Sequence, residues 1–288
     1  MTTKWSYKAA SSVWRNKKFR KGICLVLGQV DTGKTTLVRQ LLEKALPATK
    51  TALVDADMGQ SRIGPPTTVG WAIIENPEVP FESIKPGGLA FVGNTMPVNY
   101  MLQTLAAIKQ SVDQAAKQAE LVIIDTPGYV ETAPAQALWW SVYQLVKPDT
   151  ILAVARENEL EPILEPLQSF NCYIKTVHPS DEIGQKSKEK RSRYRYERFM
   201  RYFAKSKRCD IDLNKVGIQY HGSQGMDNIE DRIISIRDRT GCDTAIAYVL
   251  GYHRRKKILT IQCPPIDRRR IRAIVIGDAK LPRGEQQL

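Results

Sequence analysis

The chain has 288 residues, 42% of them hydrophobic, enough for one large α/β domain or for a domain with a small companion. No apolar run approaches the length of a membrane span and the basic N-terminus lacks the apolar core of a secretory signal, so a cytoplasmic protein with no membrane association is expected. The formal net charge of +13 points to a polyanionic partner, and five scattered cysteines without a CxxC pair point to reduced thiols rather than a zinc site.

In chain order, GICLVLG (22–28) is a compact apolar run that fits a buried parallel strand, and LVRQLLEKAL (37–46) follows with leucines at helical spacing. Further strand-length runs are TALVDAD (51–57), LAFVGN (89–94), ELVIIDTPG (120–128) and TILAVARE (150–157). Helical patterns lie between and after them at about 98–118, 133–146 and 159–168. This alternation predicts an α/β fold of the P-loop NTPase type, a parallel sheet with helices on both faces. A basic, helical segment follows at about 186–208, and beyond it RIISIRD, TAIAYVLGY, KILTIQCPP and RIRAIVIGD read as short strands. The expected division is a P-loop domain over 1–208, carrying a basic lid helix at about 186–208, and a small β-rich C-terminal domain over 209–288.

The sharpest motif is Gly28-Gln29-Val30-Asp31-Thr32-Gly33-Lys34-Thr35, followed by Thr36, which satisfies GxxxxGK[ST] between a strand and a helix. Backbone N–H groups of such a loop cradle a β-phosphate and the helix N-terminus favours its charge. Lys34 is expected on the β- and γ-phosphates and Thr35 on Mg2+. Asp55-Ala56-Asp57-Met58-Gly59-Gln60 ends the second predicted strand, near the ligand crevice of a doubly wound sheet. Asp57 there can accept a proton from an attacking hydroxyl or hold the metal's water shell; the plainer alternative is an Asp–Gly turn. Asp125-Thr126-Pro127-Gly128-Tyr129 has the form of a Walker B strand end and of a GTPase DxxG element. Asp125 is placed to reach Mg2+, and Thr126 and Gly128 to touch the acceptor or the γ-phosphate.

On a helical wheel Arg191, Arg195, Arg198, Arg201 and Lys205 share one face, and Tyr196, Phe199, Met200, Phe203 and Ala204 the opposite one. Such a helix can dock its apolar face and close its cationic face over phosphates. A solvated basic surface helix is the plainer alternative. Trp71, Trp139, Trp140 and Tyr129 are candidates for stacking a terminal base, with core packing the commoner role of each.

Together GQVDTGKTT (28–36), VDADMGQSRIGPPTTVG (54–70), IIDTPGYV (123–130), KPDTILAV (147–154) and the Arg-rich helix ending in Tyr202-Phe203 resemble the polynucleotide 5′-hydroxyl-kinase family of RNA processing. That family includes the kinase subunit of the eukaryotic pre-mRNA cleavage factor and the kinases of pre-rRNA processing. The resemblance covers about residues 20–205. It implies that Lys34 and Thr35 are the Walker A lysine and magnesium ligand, and that Asp57 activates the attacking 5′-hydroxyl. It implies that Gln60 faces the substrate, that Thr126 and Gly128 form a clasp on the acceptor, and that Arg191 and Arg195, with Arg198 one turn on, form the lid. Tyr129 stands where the family often has tryptophan. Many eukaryotic members carry an extra N-terminal domain, so a minimal, stand-alone kinase is expected. ATP is the implied donor, with GTP as an alternative; Mg2+ is the implied cofactor; and a nucleic acid with a 5′-hydroxyl end, RNA favoured, is the implied partner.

Two rival readings come from other classes. A regulatory P-loop GTPase suits Asp125-Thr126-Pro127-Gly128, yet the nearest string to a guanine-specifying NKxD is Asn214-Lys215-Val216-Gly217, which lacks the aspartate. A non-catalytic ATP-binding adaptor of RNA processing has no need of an intact Lys34, Thr35 and Asp57.

Overall fold

A computed structural model describes residues 4–179, 184, 186–222, 225–226 and 228–281. The first part of the chain contains α1 (Lys4–Trp14), β1 (Gly22–Gly28), α2 (Lys34–Ala45), β2 (Thr51–Asp55), β3 (Thr68–Ile74), β4 (Gly88–Phe91) and α3 (Met101–Ala116). It continues with β5 (Leu121–Asp125), α4 (Ala133–Val146), β6 (Thr150–Val154), the single turn α5 (Glu161–Leu164) and β7 (Tyr173–Val177). Then come α6 (Lys188–Phe203), β8 (Lys207–Asp212), β9 (Gly217–Tyr220), β10 (Arg232–Arg237), β11 (Asp243–His253), β12 (Ile258–Cys263) and β13 (Ala273–Lys280).

The central strands run β7-β6-β1-β5-β2, all parallel, and β3 and β4 continue the sheet antiparallel. The sheet is therefore mixed rather than purely parallel. Every residue of β2, β5 and β6 is buried, which is why these segments read as unbroken apolar runs with no alternation. Successive residues nevertheless serve opposite faces. Cys24, Val26, Leu53 and Ile123 pack under α1 and α2 with Val13, Leu37, Leu41 and Leu42. Leu25, Leu27, Val54 and Ile124 pack under α3 and α4 with Ile108, Val112, Trp139 and Val142.

The register matters most for function. Asp55 at the end of β2 is the cross-strand partner of Asp125 at the end of β5, and Asp125 is the partner of Val26 in β1, two residues before the loop opened by Gly28. Parallel pairing thus delivers all three sequence motifs to one edge of the sheet.

The expected helix at about 159–168 is broken into α5 and a 3₁₀ turn, Glu165–Ser169, because Pro166 has no N–H to continue the helix, whereas Pro162 sits in the first turn of α5 where none is needed. The expected boundary after residue 208 falls inside β8, which pairs with β12 from Lys207 onward. The C-terminal strands surround their own core of Ile211, Ile234, Ile236, Val249, Leu259, Ile261 and Ile274. They also join the P-loop sheet edge to edge, through the pairing of Asp243 in β11 with Leu89 in β4. Helix α6 covers that seam: Phe199 and Phe203 pack with Phe91, Ile233, Ile246 and Val275. Among the described residues no helix is long and apolar enough to cross a membrane.

Candidate active site

The loop between β1 and α2 is shaped by two residues with left-handed backbone, Asp31 at φ 57° and Gly33 at φ 85°. Gly33 caps α2 in a conformation that costs glycine no Cβ clash, and it turns the helix N-terminus toward the cleft. Lys34 is buried, and its Nζ donates to the carbonyls of Gly28 (2.8 Å) and Gln29 (2.6 Å). Burial draws its pKa down, opposed by Asp125, Asp57 and Asp31. Thr32 is tied to the Gln29 carbonyl at 2.9 Å, Gln29 to Glu131 at 2.6 Å, and Thr35 donates its hydroxyl to Asp125 Oδ2 at 2.6 Å.

The carboxylates divide their work. Asp55 is a buried organiser: its Oδ2 accepts the amides of Arg62 (2.5 Å) and Ile63 (2.9 Å), and its Oδ1 accepts the amide of Asp57 (3.2 Å). Burial, with Asp125 nearby, pushes the Asp55 carboxyl up to about 7 against those hydrogen bonds. Burial also raises the pKa of Asp125, opposed by Arg62, Thr35 and Lys34. Asp57 lines the cleft and holds its own loop, with Oδ1 accepting from Gly59 (3.1 Å) and Gln60 (3.0 Å). Asp57 thus closes a turn onto Gly59 and lines the cleft at the same time.

Lid residues reach the cleft from α6 and the residues before it. Arg191 pairs with Asp31 of the loop at 2.7 Å, and the Lys186 amide donates to the same Asp31 oxygen at 2.9 Å. Lys186 Nζ also donates to Gln60 at 3.1 Å. Arg195 lines the cleft; partial burial, then Arg191, lower its pKa, while Asp57 acts the other way. Arg198 is not brought to the cleft. Its guanidinium donates to the backbone carbonyls of Ser61 (3.1 Å), Glu82 (3.2 Å), Arg62 (2.6 Å) and Gly64 (2.7 Å), because the helix turns that face onto the loop after β2. The single cationic stripe read from the wheel is therefore split between cleft and scaffold.

The cleft encloses about 590 Å³ and is lined by Val30, Gly33, Lys34, Thr35, Thr36, Asp57, Gln60, Thr126, Gly128, Tyr129, Arg191 and Arg195, among others. Gly28, Gln29 and Thr32 shape the loop from behind it. Thr126 donates its hydroxyl to the Val26 carbonyl at 2.6 Å. Gly128 presses on the backbone of Val30, leaving no room for a side chain. Of the four aromatic candidates only Tyr129 lines the cleft. Trp139 is buried and donates to the Tyr129 carbonyl at 2.6 Å, and Trp71 is buried beside Gln114. Asn214-Lys215-Val216-Gly217 lies between β8 and β9, outside the cleft lining. Sequence reasoning missed Arg62, Lys186 and the rim Thr95-Met96-Pro97. The one signal for Arg62 was a lone cation five residues after Asp57.

Thr35 Oγ1 and Asp125 Oδ2 lie 2.6 Å apart, and the Asp57 carboxylate lines the same cleft. One hydroxyl and two carboxylates, completed by phosphate and water, suit Mg2+. Among the described residues no cluster of three His, Cys, Asp or Glu forms a self-sufficient metal cage.

The family model described as mRNA cleavage and polyadenylation factor CLP1 P-loop matches residues 28–205. The chain belongs to this CLP1 P-loop family. It is 34% identical over 197 residues to a polyribonucleotide 5′-hydroxyl-kinase of Methanocaldococcus jannaschii, covering 67% of this chain and 54% of that one. It is 30% identical over 211 residues to the namesake kinase of Pyrococcus horikoshii, covering 73% and 57%. The chain thus spans little more than half the length of these relatives. A CLP1 homolog of Arabidopsis thaliana is 28% identical over 192 residues, covering 62% of this chain and 43% of that protein. Among solved structures, Clp1p in complex with Pcf11p superposes with a TM-score of 0.74 over 97% of this chain and 79% of that one, at 15% identity, a likeness of fold.

Proposed function

We propose that this protein is an ATP-dependent polynucleotide 5′-hydroxyl kinase that transfers the γ-phosphate to the 5′-hydroxyl end of RNA, with DNA the lesser acceptor. The observation that carries the reading is the meeting, across one cleft, of a phosphate loop, the carboxylate Asp57 and the arginines Arg191 and Arg195. A regulatory switch needs the loop alone; a transferase also needs a base and cations on the acceptor side.

The acceptor's 5′-oxygen attacks the γ-phosphorus in line as the bond to the β,γ-bridging oxygen breaks, and ADP leaves. Asp57 takes the hydroxyl proton, so ATP and a 5′-hydroxyl end give ADP, a 5′-phosphate and a proton. Lys34 exchanges the carbonyls of Gly28 and Gln29 for phosphate oxygens. Thr35 and Asp125 would hold Mg2+, with Asp57 lining the same cleft, and the ion would supply charge neutralisation on the phosphates. Arg195 and Arg191 add positive charge as the lid closes, and Thr126, Gly128, Tyr129 and Gln60 form the acceptor's wall. GTP is the alternative donor.

The test supplies γ-labelled ATP with matched RNA and DNA oligonucleotides bearing 5′-hydroxyl ends. Label appears on the oligonucleotide, more on RNA than on DNA. GTP hydrolysis without transfer would sink the reading in favour of a switch, and nucleotide binding without either reaction would favour an adaptor.

A further inference from the structure

Arg62 occupies a position that the reaction proposed above leaves unexplained. Its Nη1 lies 3.0 Å from Thr35 Oγ1 and 3.9 Å from Asp125 Oδ2, the two atoms on which a P-loop metal depends. Thr35 gives its hydroxyl proton to Asp125. Of the two lone pairs that Thr35 Oγ1 then offers a cation, one accepts from Arg62. The side chain is 19% exposed, enclosed with Asp125 and near Asp55 and Asp57. A buried group of carboxylates is costly without a positive partner, and Arg62 supplies one where Lys34 is directed to carbonyls instead.

The surroundings let the guanidinium leave while the backbone stays. The Arg62 amide donates to Asp55 and its carbonyl accepts from Arg198, so the main chain is fixed from both sides. Its Nε lies 3.5 Å from Glu82 Oε1, while Nη1 is the nitrogen nearest Asp125. Glu82 in turn accepts from Tyr194 of the lid helix at 3.3 Å. The guanidinium thus has a second anchor to rotate about, and that anchor is itself bonded to the lid helix.

We infer that Arg62 is a built-in stand-in for the divalent cation: it holds Thr35 and Asp125 in place until the metal arrives with the nucleotide, and it competes with the metal for them. This rests on the nucleotide-binding part of the proposed function and not on phosphoryl transfer.

The test measures binding of a non-hydrolysable ATP analogue by calorimetry across a Mg2+ titration, with no acceptor present, for the wild type, Arg62→Gln and Arg62→Lys. Removing the competing charge lowers the Mg2+ concentration needed for half-maximal tightening on the order of tenfold in Arg62→Gln. Arg62→Lys, which keeps the charge but not the fork to Thr35, falls between the two. In chelator, Arg62→Gln melts below the wild type, and Mg2+ with the analogue recovers more of its melting temperature than it adds to the wild type. If Arg62→Gln is too unstable to purify, the Arg62→Lys titration decides alone. Unchanged or increased Mg2+ requirement in the variants overturns the inference. A protein that binds the metal–nucleotide pair as expected but transfers no label overturns the kinase reading and leaves Arg62 as described.

Discussion

Arg191 of the lid helix meets Asp31 of the phosphate loop at 2.7 Å, so the two elements that must cooperate on a nucleotide are already joined by a charge-assisted hydrogen bond. The Lys186 amide reaches the same Asp31 oxygen. Asp31 is therefore the point at which the N-terminal end of α6 is latched.

Asp31→Asn removes the charge from that latch and leaves a weaker neutral acceptor. The pair is partly exposed, which limits its worth to about 1 kcal/mol, or roughly a fivefold change in the opening equilibrium. Hydrogen exchange of the α6 amides over 188–195 is expected to accelerate by that factor in nucleotide-free protein, while amides of β5 keep wild-type rates. Equal protection of α6 in both proteins would show that Phe199 and Phe203 hold the helix without help from its first turns.

Asp57→Asn separates binding from chemistry. Its Oδ1 shapes the Gly59–Gln60 turn, a role an asparagine oxygen keeps. Nucleotide affinity is expected to stay within about twofold, and label transfer to a 5′-hydroxyl end to fall by roughly 10²–10⁴-fold, the range of a lost general base. Near-normal turnover of the variant would remove Asp57 from the chemistry.

Arg195 and Arg198 lie one turn apart and are expected to fail in different ways. Arg195→Ala lowers transfer on the order of 10²–10³-fold with little change in melting temperature, since its charge faces the cleft. Arg198→Ala strips donors from three carbonyls of the loop that carries Arg62 and from that of Glu82, and lowers stability by about 2–4 kcal/mol. A melting curve and a transfer assay on each variant distinguish the two. Matching losses of activity with no melting shift in either would return Arg198 to the cleft.

The split between these arginines marks where sequence stops being informative. The central strands and the phosphate loop were legible because burial on both sheet faces leaves unbroken apolar runs and because the loop's glycines answer a local backbone demand. Strand β3 was not legible: Thr68–Ile74 returns antiparallel to β2 after the loop 56–67, and that return carries no signal of its own. Nor could a wheel reveal that Arg198 faces carbonyls while Arg195 faces the cleft, since both lie on one stripe and only the loop packed against it decides. Arg62 was hidden for the same reason, its partners being 27 and 63 residues away in the chain.

Asp55 gives the cleft a dependence on pH. Its carboxyl is pushed from 3.8 up to about 7, so between those values the folded protein holds a proton that the unfolded chain has released. Stability from this group is full below 3.8 and is lost as pH rises through about 7, by at most about 1.4 kcal/mol per pH unit. His221, whose pKa burial lowers from 6.5, works in the opposite direction as pH falls. The measurement is therefore a difference between wild type and Asp55→Asn, both of which contain His221. Urea unfolding in chelator is expected to show the wild type gaining on the variant as pH falls from 7 to 5, with no further change from 7.5 to 8.5. A flat difference across the whole range would mean that the amides of Arg62 and Ile63 keep Asp55 ionised at every pH tested.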